Sequence, residues 1–219
     1  GARASTPPTP GLKDVGYLTN ETVFSLTELP QRIGVIGAGP IGCELAQSFA
    51  RFGSQVSLIE TSHGILPKED RDAAEIVEQQ MLRDGVKLLC CGKDLKVNKT
   101  AGGKRLTVDS HGQQYDVTVD EILVGVGRTP NVEGIGLEAV GVEYDKNGVK
   151  VNERLQTTNP KIFAAGDICS RYKFTHAADA MAQIVIQNAL FPHPFGLGYA
   201  SVETLIMPWC TFTEPEVAH

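Results

Sequence analysis

Residues 31–60 read Gln-Arg-Ile-Gly-Val-Ile-Gly-Ala-Gly-Pro-Ile-Gly-Cys-Glu-Leu-Ala-Gln-Ser-Phe-Ala-Arg-Phe-Gly-Ser-Gln-Val-Ser-Leu-Ile-Glu. Ile33, Val35 and Ile36 form a short apolar run that fits a buried parallel strand. Gly37, Gly39 and Gly42 follow at G-x-G-x-x-G spacing. A helical pattern opens there, with Ile41, Leu45, Phe49 and Phe52 on one face. A second apolar run, Val56 to Ile59, ends on Glu60. The order is strand, glycine turn, helix, strand, acid.

Each part of that order has a physical role in holding a dinucleotide. Gly37 allows the tight turn out of the strand. Gly39 has no Cβ, so a pyrophosphate can approach the backbone. Gly42 lets the helix pack closely on the strand. Pro40 and Ile41 open the helix, whose N-terminus offers N–H groups and a positive dipole end to phosphate. Glu60 stands where an acid accepts hydrogen bonds from the adenosine ribose hydroxyls. A carboxylate there repels the extra phosphate of NADP, which favours NAD. Glycines punctuate many turns, so the triplet alone would say little. The whole strand–helix–strand context makes it a nucleotide signature.

Outward from this unit the chain keeps alternating. Asp70 or Asp72 can cap a second helix running to about Asp84, with Ile76, Val77, Gln80 and Met81 near one stripe and Gly85 as its stop signal. Val86 to Leu89 reads as a third parallel strand. Residues 93–99, 104–109 and 113–119 then read as an antiparallel meander with turns at Gly102-Gly103 and His111-Gly112. Ile122 to Val126 returns to the sheet, closed by Gly127-Arg128-Thr129-Pro130-Asn131, where the arginine can meet phosphate or ribose. Residues 1–11, rich in Pro, Thr and Gly, read as an extended linker. Residues 20–30 suit short turns or a short helix, which Pro30 ends before the first strand. Further on, Val149 to Val151 reads as a short strand. Lys161 to Asp167 reads as an apolar strand ending in Gly-Asp, a ligand position beside a sheet edge or a simple turn. His176 to Leu190 reads as a helix carrying Ala180, Ala182, Ile184 and Ile186. A loop covers 191–200, and Leu205 to Phe212 starts a strand with no room left to pair or pack. The fold class expected is α/β: a Rossmann-like parallel sheet with a β-meander crossover.

Composition narrows the function. The chain has 219 residues, 42% hydrophobic, with a net charge of −6. That suits a soluble globular protein and argues against nucleic acid or an anionic membrane surface as a partner. No apolar stretch is long enough to span a bilayer. The first ten residues lack the apolar region of a signal peptide. The five cysteines, Cys43, Cys90, Cys91, Cys169 and Cys210, form no C-x-x-C and no even framework, so reduced thiols in the cytoplasm are expected.

Four ordered stretches carry a resemblance: G-A-G-P-I-G-C-E at 37–44, G-V-G-R-T-P-N at 125–131, T-T-N-P-K-I-F-A-A-G-D at 157–167 and P-W-C-T-F-T-E-P-E-V-A at 208–218. Together they resemble the flavin-dependent pyridine nucleotide–disulfide oxidoreductases, most closely the mercuric reductase and dihydrolipoamide dehydrogenase group. The resemblance covers nearly the whole chain. It implies that residues 1–11 trail from a first FAD segment, 12–130 form the NAD(P)-binding domain, 131–200 form the second FAD segment, and 201–219 begin a dimerisation domain. It places Glu44 near the nicotinamide, paired with a flavin-side lysine. It places Leu95 and Gly127 at the adenine nucleotide. Gly166 and Asp167 would meet the ribityl and pyrophosphate part of FAD, and Phe174, Thr175, His176 and Ala177 would lie beside the flavin ring. Family members are homodimers.

Departures from the pattern matter as much. The family's first FAD glycine motif, its redox cysteine pair C-x-x-x-x-C and its C-terminal His–Glu pair are not in this sequence. The chain therefore reads as a piece of a larger enzyme, inactive by itself in hydride transfer between nicotinamide and flavin with electrons passing to a disulfide or to Hg(II). A stand-alone NAD-binding module or redox sensor is the alternative. A flavin-free NAD-dependent dehydrogenase would leave Gly166-Asp167 and the meander unexplained. No metal ligand set is expected. Cys90-Cys91 as a mercury site is set aside, because cysteines ending a core strand pack as small hydrophobes and vicinal cysteines bridge only with strain. Core packing is expected for Cys43 and Cys169 also. His176 suits a capping or packed role, and His63 and Lys68 a solvated loop that could soften the NAD preference.

Overall fold

The computed structural model describes all 219 residues. In chain order its elements are β1 (Ala2–Ala4), α1 (Leu12–Val15), β2 (Arg32–Ile36), α2 (Pro40–Arg51), β3 (Gln55–Ile59), α3 (Arg71–Arg83), β4 (Lys87–Leu89), β5 (Lys93–Thr100), β6 (Gly103–Ser110), β7 (Gln113–Val119), β8 (Glu121–Val124), β9 (Arg128–Pro130), β10 (Tyr144–Asp145), β11 (Gly148–Val149), α4 (Thr175–Leu190), β12 (Cys210–Thr211) and β13 (Val217–Ala218). They form two compact units, one of Ala4–Gly127 with Pro208–His219, the other of Gly1–Arg3 with Arg128–Met207.

The first unit is built on a four-stranded parallel sheet of order β4-β3-β2-β8. Its strands are apolar runs because both faces are covered. On one face, Ile33, Val35, Val56, Leu58 and Leu123 pack with Cys43 and Ala46 of α2 and with Ala74, Val77 and Met81 of α3. On the other, Ile36, Ile59, Leu89, Ile122 and Val124 pack with Leu12 and with Val97, Leu106, Val108 and Val119 of the antiparallel β5-β6-β7 meander. The layers are thus helices, parallel sheet and meander, as the alternation of periodicities predicts.

Two helix faces differ from the sequence reading. The buried stripe of α2 is Gly42, Cys43, Ala46 and Gln47, while Phe52 is 71% exposed. Helix α2 sits so close to the sheet that small residues must face it, and the large apolar side chains flank the contact. In α3 the inward residues are Ala74, Val77 and Met81, and Ile76 faces out. Only a single 3-10 turn, Val23–Ser25, forms in 20–30.

Leu205 to Phe212, read as the start of a strand with no room to pair or pack, is a strand only at Cys210–Thr211, and that strand does not stand alone. Instead β12 and β13 pair with each other, Val217 joins the core beneath α2, and the Glu214 N–H donates to Gln47 Oε1 at 2.8 Å. Residues 1–11, read as a linker, are hydrogen-bonded: β1 pairs with β9, and the Val97 N–H donates to the Pro10 carbonyl at 2.9 Å.

In the second unit, β10 and β11 form a hairpin over a cluster of Val132, Val142 and Val149. Helix α4 packs Met181 and Ile184 on Leu155. Its inward residues are Ala177, Met181, Ile184 and Asn188; Ala182 and Ile186 face solvent. Val151, read as the end of a strand from Val149, makes only a single bridge to Thr157. Lys161 to Asp167 does not form the strand its apolar run predicts. A strand needs a laddered neighbour, and this segment finds one bridge, Phe163 to Gln156, before Gly166–Ile168 curls into a 3-10 turn.

Candidate functional site

The glycine loop between β2 and α2 is shaped by close backbone contacts. Gly37 has φ +101, and a Cβ there would lie 2.7 Å from the Gly125 carbonyl oxygen. A Cβ on Gly42 would fall on the Gly37 carbonyl itself. Around Gly39 the space is open, with nothing within 4 Å of where a Cβ would be. Gly39 caps α2 with Pro40 in its first turn, and the helical ladder begins with the Cys43 N–H on the Gly39 carbonyl at 2.9 Å. The N–H groups of Ile41 and Gly42 precede that ladder. Open space, early amides and the positive helix end together fit the phosphates of a dinucleotide.

Glu60, at the end of β3, braces this loop. Its Oε2 accepts the Ala38 N–H at 2.7 Å, and its Oε1 accepts the Ser62 N–H at 2.9 Å and the Thr61 hydroxyl at 3.1 Å. Burial alone would push the Glu60 carboxyl up, but the Ala38 and Ser62 N–H groups and the Thr61 hydroxyl outweigh it. The carboxyl is held below the usual glutamate range. It is therefore charged at neutral pH. The Leu66 N–H donates to the Ala38 carbonyl at 2.8 Å, so the loop is fixed from both sides.

The other expected residues scatter more. Glu44 Oε1 accepts the Phe212 N–H at 2.9 Å, which ties α2 to the C-terminal hairpin. Leu95 is half-buried against the core between sheet and meander. Gly127 has φ +106 with open space around it, and its carbonyl accepts the Ser5 N–H at 2.9 Å.

In the second unit, Arg128 and Asp167, far apart in sequence, meet. Their Nη2 and Oδ2 atoms are 3.3 Å apart, and Arg128 Nη2 also donates to the Ala2 carbonyl at 2.8 Å. Arg128 Nε is buried without a partner. Gly166 has φ +78, with a Cβ position only 3.0 Å from the Ala178 Cβ at the start of α4. Thr175 and His176 are exposed there, and the His176 ring stacks on Phe174 at 5.4 Å. Ala177 is fully buried behind them. A glycine–acid turn, an orphaned guanidinium N–H and a partly exposed ring pair beside a helix start fit one side of a flavin nucleotide.

The cysteines divide. Cys43 is fully buried, as expected, and burial pushes its thiol up to about 12. Cys169 is half-buried rather than fully packed, and burial pushes it up to about 11. Cys90 and Cys91 depart from the expectation: β4 ends at Leu89, and both side chains lie half-exposed outside the core. Sequence spacing also gave no hint that His63, expected to be solvated, and His111 of the β6–β7 turn stand beside them. Only the sheet order, with β4 next to β3 and the meander folded over both, brings the four together.

The family model described as pyridine nucleotide-disulphide oxidoreductase matches residues 1–182. The chain is 35% identical over 219 residues to a mercuric reductase of Staphylococcus aureus, covering 100% of this chain and 39% of that protein. It is 34% identical over 201 residues to a dihydrolipoyl dehydrogenase of Bacillus subtilis, covering 92% of this chain and 42% of that protein. Among solved structures, the HOCl-induced flavoprotein disulfide reductase RclA from Escherichia coli superposes with a TM-score of 0.87 at 29% identity, covering 100% of this chain and 49% of that one. The chain thus spans about two fifths to half of the length of these relatives.

Proposed function

The chain belongs to the pyridine nucleotide-disulphide oxidoreductase family, which is FAD-dependent and uses NAD(P)H, and on that premise we propose that its parallel-sheet unit binds NADH in an enzyme that passes hydride to FAD. No helix is long and apolar enough to cross a membrane. In our reading residues 12–130 are the NAD-binding domain, 131–200 supply part of the FAD cradle, and 201–219 open a dimerisation domain of a cytoplasmic homodimer. Electrons then leave for a disulfide or a metal ion such as Hg(II), through groups these residues do not include, since none of the five cysteines forms a C-x-x-x-x-C. The relatives' names support both acceptors.

The observation that carries the nucleotide reading is the loop braced by Glu60. Gly37, Gly39 and Gly42 let the loop pass close to a pyrophosphate, and Pro40 and Ile41 start the helix whose dipole attracts it. Glu60, charged at neutral pH, would accept the ribose hydroxyls with its remaining lone pairs and repel a 2′-phosphate. Leu95 and Gly127 would border the adenosine. Glu44 would act at the nicotinamide end of the same helix. Gly166, Asp167, Thr175 and His176 would hold FAD, with buried Ala177 packed behind them and Arg128 orienting Asp167. The nicotinamide, when bound, supplies the hydride; these residues bind, orient and exclude the wrong nucleotide.

Calorimetric titration of the purified chain with NADH, with an absorbance spectrum for flavin on the same sample, tests this. Saturable binding to one site, abolished by Gly42→Ala in a protein that keeps its circular dichroism, is expected. No binding by the folded wild type would refute it.

A further inference from the structure

Four side chains outside the nucleotide loop converge at one end of the parallel sheet. His63 lies in the loop after β3, Cys90 and Cys91 follow β4, and His111 lies in the β6–β7 turn. Their ligand atoms all lie within 4.8 Å of one another. Cys90 Sγ is 3.2 Å from His111 Nε2, and Cys91 Sγ is 3.5 Å from His63 Nδ1. The two rings stand edge to face, 6.1 Å apart and 89° inclined. A tetrahedral zinc with bonds of about 2.3 Å to sulfur and about 2.0 Å to nitrogen spaces its sulfur and nitrogen ligands about 3.5 Å apart. The side chains already stand near that spacing.

Neighbouring residues in a strand point to opposite faces, so two adjacent cysteines cannot share a site while the strand continues. Here β4 stops at Leu89 and Cys91 takes φ +53, a left-handed conformation costly for a residue with a Cβ. That turn brings both thiols to one side. Hydrogen bonds hold it: the Cys91 N–H donates to the Ser62 carbonyl at 2.9 Å, the Gly92 N–H to the Glu60 carbonyl at 2.8 Å, and the Ser110 hydroxyl to the Cys90 carbonyl at 2.6 Å. Each of the three segments that supplies a ligand is therefore hydrogen-bonded to another, the first two through their backbones and the β6–β7 turn through the Ser110 hydroxyl. His111 has φ +54, a second left-handed position at the same cluster.

We infer that His63, Cys90, Cys91 and His111 form a Cys2His2 site for one thiophilic cation of the zinc type. Two thiolates and two imidazoles are the donor set of tetrahedral zinc. Four protein ligands leave no open position for substrate, so the ion is structural. It clamps the loop after Glu60 to the end of β4 and to the meander. Binding releases the thiol protons to solvent and changes no oxidation state.

The test uses the whole reduced chain, stripped with a chelator and titrated with Co(II), then Zn(II). One equivalent of Co(II) is expected to give the strong visible bands of tetrahedral cobalt with sulfur-to-metal charge transfer, and Zn(II) to displace it. Losing an outer-shell partner weakens metal sites about 10–100-fold, so Cys90→Ala and His111→Ala, each losing a ligand, should weaken binding at least about 100-fold. Cys169→Ala should bind as the wild type does. Zinc-edge X-ray absorption of the wild type removes any dependence on variant folding, with two sulfur and two nitrogen neighbours expected. An octahedral cobalt spectrum, a shell without sulfur, or unchanged affinity in the folded variants would overturn the site.

Discussion

Removing the Glu60 carboxylate perturbs both the loop and its ligand, and the size of the first effect follows from the hydrogen bonds. Glu60→Ala leaves the N–H of fully buried Ala38 without its 2.7 Å acceptor. A buried donor left unpaired costs about 1–3 kcal/mol. The Ser62 N–H and Thr61 hydroxyl lie in an exposed loop, where water replaces the lost oxygen. The net loss is about 2 kcal/mol, or about 4–8 °C in Tm for a protein of this size. Urea unfolding at pH 7, followed by circular dichroism, measures it. Glu60→Gln keeps an oxygen for Ala38 and should cost less than Glu60→Ala. The pH dependence has a fixed sign. The folded carboxyl titrates below its unfolded value, so its contribution is full above the ordinary glutamate range and fades as pH falls through the lowered value. The gap between wild type and Glu60→Ala should therefore shrink on acidification. A Glu60→Ala protein within about 0.5 kcal/mol of wild type at pH 7 would refute the bracing role, since surface substitutions stay inside that limit.

Gly42→Ala drives a methyl onto the Gly37 carbonyl, so α2 must move off the sheet; a loss of about 3 kcal/mol in urea unfolding is expected, and a fully stable variant would contradict the close packing. In folded protein stripped of metal by a chelator, mild alkylation followed by mass spectrometry should find Cys90 and Cys91 modified while buried Cys43 stays intact, and early labelling of Cys43 would contradict its burial. Asp167→Asn removes the charge facing Arg128 across 3.3 Å; because both side chains are partly solvated, a Tm loss equivalent to about 1 kcal/mol is expected, shrinking in high salt.

Much of the first unit was legible because its signals are local. The apolar runs of β2 and β3, the glycine spacing and the alternation of β5, β6 and β7 each sit inside one element, and the turn at His111-Gly112 falls where the hairpin closes. What the sequence hid depends on distant neighbours. Phe49 and Phe52 suggested the inward face of α2, yet close approach to the sheet selects Gly42, Cys43 and Ala46. Lys161 to Asp167 has a strand's composition without a strand's partner. The bond between Glu60 and Ala38 spans a loop whose geometry no residue type announces. The meeting of His63, Cys90, Cys91 and His111 requires three connections to close at once, and Cys91 reads as core until its left-handed turn is seen.

The most direct measurement is the ratio of the NADPH and NADH dissociation constants for the wild-type chain at neutral pH and fixed ionic strength. A charged Glu60 beside the ribose predicts NADH bound at least about tenfold more tightly, a difference of about 1.4 kcal/mol, and loss of that preference in Glu60→Gln. Equal binding, or tighter binding of NADPH, would contradict the account of Glu60 as the group that selects the nucleotide.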